Sequence, residues 1–114
     1  MRPIERAFKE REQKVMDLIK SYNLEYHEIG IFGSYARGTF KATSDIDFYI
    51  VVDKKPVPRV SGNLREDADM LGADIVFITP EHLEAGNSLL IQNIKRDRKV
   101  LVRNEQEELL WDSN

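Results

Sequence analysis

The feature that most constrains the fold of this chain is an apolar run that opens with two aspartates, DIDFYIVV at residues 45–52. Its β-branched and aromatic residues, continuous in the second half, are typical of a strand covered on both faces. Because successive side chains of a strand point to opposite faces, Asp45 and Asp47 share one face and Ile46 takes the other. Their α-carbons are expected to lie about 7 Å apart. The run therefore predicts a sheet flanked by helices.

The two carboxylates are candidate metal ligands. Two carboxylates this close repel each other and raise each other's pKa unless a cation lies between them. Mg²⁺ takes one or two carboxylates together with phosphate oxygens and water, and two such ions can activate an attacking oxygen and stabilise a leaving one. We therefore expect Asp45 and Asp47 to bind two Mg²⁺ ions. The alternative for an isolated Asp-x-Asp is a solvated strand start.

The turn before this strand has the features of an anion site. Gly33 follows a short apolar run, and Ser34 is interpreted as the N-cap of a helical turn, SYAR. Free backbone amides and the positive end of the helix dipole would face one spot. Gly33 permits close approach of a phosphate, the Ser34 hydroxyl can donate to it, and Arg37 adds a fork of donors. Gly38 is expected to end the turn with a positive φ.

Other phosphate loops do not fit the same residues. GSYARG is not followed by the Lys-Ser/Thr pair of a P-loop, and the dinucleotide pattern G-x-G-x-x-G is absent. Taken alone, the turn is an ordinary helix start, and it becomes specific only because Asp-x-Asp follows. Ser44, which precedes the first aspartate, could orient Asp45 or cap the strand, and we include it among the candidate nucleotide-binding residues.

The stretch GSYARGTFKATSDIDFYIV resembles the signature of the polymerase-β-type nucleotidyltransferase superfamily, with Gly-Ser, Arg-Gly and Ser-Asp-x-Asp in that order. The short chain is similar to the minimal nucleotidyltransferase (MNT) members, which include MntA-type antitoxins. This resemblance implies a third carboxylate on a later strand. Asp74, in GADIVFIT, is the candidate on a convincing strand, as metal ligand and catalytic residue. A polar residue at a strand start is the alternative for Asp74.

The resemblance also implies a function. We expect Mg²⁺-dependent transfer of a nucleoside monophosphate, AMP from ATP, to a hydroxyl, with release of pyrophosphate. Many MNT proteins are antitoxins paired with a small helical HEPN-domain toxin, and some adenylylate that partner. Two alternatives stay open, a small-molecule nucleotidyltransferase of the aminoglycoside type and an antitoxin that binds its partner without chemistry. The chain has no large second domain to form an acceptor pocket, which counts against the first.

Composition sets further bounds. The 114 residues predict a single domain, residues 1–114, and the absence of cysteine excludes disulfides and thiolate metal sites and fits a cytoplasmic location. No apolar run approaches the ~20 residues of a membrane span, and the first residues lack the apolar core of a secretory signal. A net charge of −3 argues against nucleic acid as a partner.

The remaining patterns predict an α/β (α+β) fold, with a short mixed sheet of the polymerase-β-like nucleotidyltransferase type. Spacing leaves parallel and antiparallel pairing open, although KVLVR is expected at a sheet edge. The prolines at 56 and 58 are expected to exclude regular structure from residues 53–60. The predicted helices are residues 3–22, 34–37, 60–71, 88–95 and 104–111, with one further helix capped by Thr79. The predicted strands are residues 26–32, 45–52, 73–78 and 99–103.

Two surface features have open interpretations. A local basic cluster stands in an acidic protein, and it is either a solvated face or a surface for an acidic partner or nucleic acid. Its members are Lys95, Arg96, Arg98, Lys99 and Arg103. Apolar residues 109–111 could pack on the core or form a subunit contact in a homo-oligomer.

Overall fold

The computed structural model describes residues 1–104, which hold five helices and four strands in the predicted order. The predicted helix at 104–111 falls outside this range from residue 105 onward. None of the described helices has the length and hydropathy that crossing a bilayer requires. The elements are α1 (Pro3–Ser21), β1 (Glu28–Phe32), α2 (Gly33–Arg37), β2 (Ile46–Val51), α3 (Pro58–Met70), β3 (Ala73–Ile78), α4 (Pro80–Ala85), α5 (Leu89–Asp97) and β4 (Lys99–Arg103).

The four strands form one mixed sheet with the order β3-β2-β1-β4. β1 pairs antiparallel with both β2 and β4, whereas β2 and β3 are parallel and are joined by the helical crossover α3. The mixed α/β fold is therefore confirmed, and β4 lies at an edge as expected. The pairing directions, which spacing left open, place the end of β1 beside the start of β2.

Helix α3 begins earlier than the sequence predicted. Prolines at 56 and 58 were expected to exclude regular structure up to residue 60, but the helix starts at Pro58 itself. That expectation was wrong because proline at the first helical position loses no intrahelical hydrogen bond, and its fixed φ already suits a helix. The linker between β2 and α3 is correspondingly shorter.

Apolar side chains cover both faces of the sheet. Phe48 and Ile50 of β2 pack in one cluster with residues of α1 and α3, and Tyr49 and Val51 pack in a second cluster that includes Ile91 of α5. All four β2 side chains are buried. This alternation explains why the second half of the run is continuously apolar, since both of its faces meet helices.

A buried acid accounts for part of the basic cluster. Glu28 accepts a hydrogen bond from the Tyr49 hydroxyl at 2.6 Å and two from Arg103, at 2.9 and 3.0 Å. Arg98 contacts the same carboxylate at 3.4 Å. Burial, together with the Glu28 hydrogen bond, raises the pKa of the Tyr49 phenol. Two of the five clustered cations thus neutralise an internal charge.

Gly30 allows this arrangement to form. A Cβ at this position would lie 2.5 Å from the Lys99 carbonyl oxygen and would overlap the Tyr49 hydroxyl. The Lys99 oxygen belongs to the backbone of β4 and cannot turn aside as a flexible side chain could. Register between β1 and β4 also shifts between Ile29 and Gly30. Glycine is therefore required where the Tyr49 ring lies against the β1 backbone.

We expect Gly30→Ala to lower the free energy of unfolding by about 1–3 kcal/mol, because the added methyl overpacks a buried contact. Gly62→Ala is the control, since Gly62 lies within α3 and a Cβ there has no atom within 4 Å. That substitution should raise stability by about 0.5–1 kcal/mol through helix propensity. Urea denaturation of both variants measures the difference. Equal midpoints for Gly30→Ala and the wild type would contradict the packing argument.

Candidate active site

The parallel pairing of β2 and β3 sets two predicted site residues side by side. Asp47 and Asp74 are register partners, so their side chains leave the same face of strands that lie about 4.8 Å apart. Asp45 precedes Asp47 by two residues and lies just before the first residue of β2, not on the strand as expected. Asp47 is half-buried, whereas Asp45 and Asp74 are exposed. The three carboxylates therefore gather at the starts of two neighbouring strands.

The electrostatics of this group favour a cation. Burial raises the pKa of Asp47, and the charges of Asp74 and Asp45 raise it further, while Arg37 lowers it. No three acidic or histidine side chains of residues 1–104 are close enough to form a complete metal cage. Mg²⁺ needs only one or two carboxylates when substrate phosphates and water supply the other ligands. The donor set therefore fits a magnesium ion that arrives with a nucleotide.

Gly33 brings the predicted phosphate turn against these carboxylates. Phe32, the last residue of β1, pairs with Asp47, and the chain then turns at Gly33 with φ +76°. A Cβ at Gly33 would overlap Asp47 Oδ2 and lie 3.3 Å from its Cγ. Both the backbone conformation and the contact disfavour a side chain here. The turn and Asp47 thus lie within van der Waals distance of each other.

The helical turn differs in one respect from the expectation. α2 begins at Gly33, its N-cap is Phe32, and no side chain caps it. Ser34 is the second residue of the helix and was wrongly predicted as its N-cap, because Phe32 already ends the extended strand and the positive φ of Gly33 starts the turn. Gly38 ends the helix in the left-handed region with φ +79°, as predicted.

Arg37 is held by an acid that the sequence did not single out. Its Nη1 donates to Asp97 Oδ2 at 2.6 Å, and Arg96 donates to the same carboxylate through Nε at 2.7 Å and Nη2 at 3.0 Å. The Asp97 side chain is only 2% exposed. Hydrogen bonds from the two guanidiniums lower the pKa of Asp97 to about 2. The signal in the sequence that could have indicated Asp97 is its position as an acid inside the basic run KRDRK.

Ser44 makes contacts through both its hydroxyl and its backbone. Its Oγ accepts a hydrogen bond from the Lys41 amide at 2.9 Å, which closes the loop before Asp45. Its carbonyl accepts a hydrogen bond from Arg11 at 3.1 Å. A contact between Ser44 and a nucleotide remains a prediction.

Arg11 ties together the segments that precede two of the carboxylates. Its Nη1 reaches the carbonyls of Ser44, before Asp45, and of Gly72, two residues before Asp74, at 3.1 and 3.5 Å. The guanidinium also lies 4.3 Å from the centre of the Phe8 ring. Nothing in the sequence of α1 distinguishes Arg11 from its other cations.

His27 lies away from this site. It precedes β1, at the end of that strand opposite to Gly33, and its Nε2 is 2.6 Å from Asp53 Oδ1. Asp53 is exposed and is paired with His27. Neither residue reaches the carboxylates of β2 and β3.

Comparison with known proteins agrees with the fold. The family model described as "Polymerase beta, Nucleotidyltransferase" matches residues 13–107. The chain therefore belongs to the polymerase-β nucleotidyltransferase family. No curated protein matches the chain in sequence.

The chain is similar to solved toxin–antitoxin structures of the MNT type. One, a toxin–antitoxin with AMP-PNP, is 25% identical with a TM-score of 0.62, over 87% of this chain and 78% of that one. A mutant of the MntA–HpeT toxin–antitoxin is 25% identical with a TM-score of 0.60, over 87% and 77%. A tri-AMPylated Shewanella oneidensis HEPN toxin in complex with an MNT antitoxin is 19% identical with a TM-score of 0.59, over 90% and 77%, and shares the fold.

Gly33→Ala and Gly38→Ala form a matched pair of variants. Both glycines have a φ near +80°, but a Cβ at Gly38 has no atom within 4 Å. Both variants should lose about 1 kcal/mol of stability from backbone strain. Only Gly33→Ala should also displace the Asp47 carboxylate and weaken binding of Mn²⁺, a substitute for Mg²⁺, in the presence of ATP. Calorimetry measures the Mn²⁺ affinity. Equal affinity of the two variants would show that the close contact of Gly33 with Asp47 does not affect metal binding.

The ion pairs of Asp97 predict a pH dependence of stability. Its pKa in the folded protein, about 2, lies below the ordinary value of 3.8. The pairs therefore stabilise the fold above pH ~4, and this contribution is lost as the pH falls toward 2. Asp97→Asn should be less stable than the wild type at pH 6, and the gap should narrow between pH 4 and pH 2. Urea unfolding across this pH range measures the difference in the free energy of unfolding between the two proteins. A difference that stays constant with pH would contradict the lowered pKa of Asp97.

Proposed function

We propose that this protein is a Mg²⁺-dependent nucleotidyltransferase that transfers AMP from ATP to a hydroxyl of a protein partner. The observation that carries the proposal is the register pairing of Asp47 with Asp74, next to Asp45 and against Gly33. Nucleotidyl transfer needs a cation site directly beside a phosphate site. The family match supports the reaction type.

In this proposal each residue has a defined task. Asp45, Asp47 and Asp74 would hold the magnesium ions, two of them, which when bound neutralise phosphate charge and favour loss of the acceptor proton. The backbone at Gly33 and Ser34, together with Arg37, would hold the β- and γ-phosphates. This positioning leaves the α-phosphorus facing the exposed carboxylates, where the acceptor can approach.

The reaction is an in-line displacement at that phosphorus. The acceptor oxygen forms a bond to the α-phosphorus while the bond to the bridging oxygen of the β-phosphate breaks, and pyrophosphate leaves with that electron pair. Asp74, which is exposed, accepts the proton of the acceptor hydroxyl and returns it to solvent. Half-buried Asp47 is suited to metal binding, since burial and its acidic neighbours make its charge costly without a cation.

The proposed partner is a small helical HEPN-domain protein, with this chain as its antitoxin. Support comes from the 25% identity to a chain of the toxin–antitoxin solved with AMP-PNP. The 19%-identical complex holds a tri-AMPylated toxin, and this motivates the acceptor class that we propose, although the likeness extends only to the fold.

We expect Asp47→Asn to reduce transfer of labelled AMP from Mg-ATP to a co-expressed HEPN protein by about 100-fold or more, because the charge that faces the reacting centre is lost. Asp17→Asn is the control, since it makes the same change on the exposed face of α1. Mass spectrometry of the partner measures the added AMP, and a pyrophosphate assay follows its release.

Three outcomes would separate the possibilities. Unlabelled partner in the presence of confirmed ATP binding would overturn the protein acceptor, and a screen of small hydroxyl compounds would then test the aminoglycoside type. Full activity of Asp47→Asn would overturn the site itself. Complete neutralisation of the partner by the double variant Asp45→Asn, Asp47→Asn would show that binding alone, without transfer, is the mechanism.

A further inference from the structure

Asp97 joins two arginines from different helices. It is the last residue of α5, and its buried carboxylate accepts hydrogen bonds from Arg37 of α2 and from its neighbour Arg96. The Arg37 and Arg96 side chains are 42% and 62% exposed, in contrast to 2% for Asp97. A buried acid thus holds two cations whose outer parts reach solvent.

The pair keeps both charge and hydrogen-bond donors available. Two guanidiniums share one carboxylate, so the group retains a net positive charge. Each guanidinium has five N–H donors, and within residues 1–104 Arg37 spends Nη1 on Asp97, while Arg96 spends Nε and Nη2. The remaining donors belong to exposed side chains and can meet an anion from solvent.

The position of the pair points to a particular anion. Arg37 is the last residue of α2, and Gly33, the first, contacts Asp47. Four residues of helix advance about 6 Å, and α2 packs on both β2 and α5. Since Arg96 binds the same carboxylate as Arg37, its guanidinium lies next to that of Arg37. Two cations therefore lie at the C-terminal end of α2, whose first residue contacts Asp47.

We propose that Arg96 is a second phosphate-binding residue and that Asp97 is a positioning residue, which together with Arg37 form a clamp for the terminal phosphates of a nucleoside triphosphate. This inference rests on the proposed function and extends it to a residue outside the GSYARG turn. Guanidinium groups suit phosphate because their planar N–H donors bind two oxygens at once. The clamp distinguishes a triphosphate from a monophosphate, which lacks the terminal groups.

A purely structural link between α2 and α5 is the competing explanation, and Arg98 supplies the control for it. Arg98 also contacts a buried acid, Glu28, at 3.4 Å. Glu28 starts β1, whereas Phe32 at the other end of that strand pairs with Asp47. Arg98→Gln therefore removes the same charge, and a contact to a buried acid, at the end of β1 away from the site.

The test is calorimetric titration of the full chain with ATP, inorganic tripolyphosphate and AMP. Arg96→Gln should weaken ATP and tripolyphosphate binding by about tenfold, the usual loss for a charge-assisted contact, and leave AMP binding unchanged. Arg96→Lys should recover part of the affinity, and Arg98→Gln should bind all three like the wild type. In transfer assays Arg96→Gln should raise the KM for ATP more than it lowers kcat. Circular dichroism confirms that each variant is folded.

Asp97→Asn distinguishes the positioning of the two arginines from a simple effect of charge on phosphate binding. Removal of a negative charge would strengthen phosphate binding if only the electrostatic field mattered, whereas loss of an anchor for both arginines should weaken it. Tighter ATP binding by Asp97→Asn would overturn the positioning role. If folded Arg96→Gln binds ATP and tripolyphosphate as the wild type does, the clamp is overturned and the proposed function is not. Failure of the wild type to bind ATP with Mg²⁺ would overturn the proposed function as well.

Discussion

The parallel pairing of β2 with β3 is the constraint on which the rest of the structure depends. It aligns Asp47 with Asp74, and like charges on adjacent strands repel each other. Burial adds to this cost at Asp47. The backbone bonds of the ladder and the apolar layers on both faces hold the two strands together in spite of the repulsion. Such a local conflict is typical of a site that binds a cation, because the ligand removes it.

Arginines supply much of the polar framework around that pair. Arg11 binds the carbonyls of Ser44 and Gly72, while Asp97 and Glu28 are buried acids whose charges arginines neutralise. Arg11 connects α1 to the segments before β2 and β3, and Asp97 connects α2 to α5. The basic cluster therefore has a more specific explanation than a solvated face, since three of its members bind buried acids.

Local sequence patterns predicted most of the elements. Thr79 caps α4 as predicted, and the apolar positions of α1 face the core. Ser88, predicted as the first residue of its helix, is the N-cap of α5 and accepts a hydrogen bond from the Ile91 amide. Errors occurred where two local signals competed. Pro58 was interpreted as a helix breaker when it is the first helical residue, and Ser34 was assigned a cap position that Phe32 occupies.

The sequence by itself determined the α/β class, the Asp-x-Asp strand and the glycine turn, because periodicity, capping and turn chemistry act between residues close in the chain. Only the tertiary structure decided that β2 and β3 are parallel and in register, that Gly33 touches Asp47, and that Asp97 anchors Arg37 across 60 positions of sequence. These relations depend on which strands become neighbours and how helices pack over them. No short-range pattern encodes that choice, since many pairings would bury the same apolar side chains.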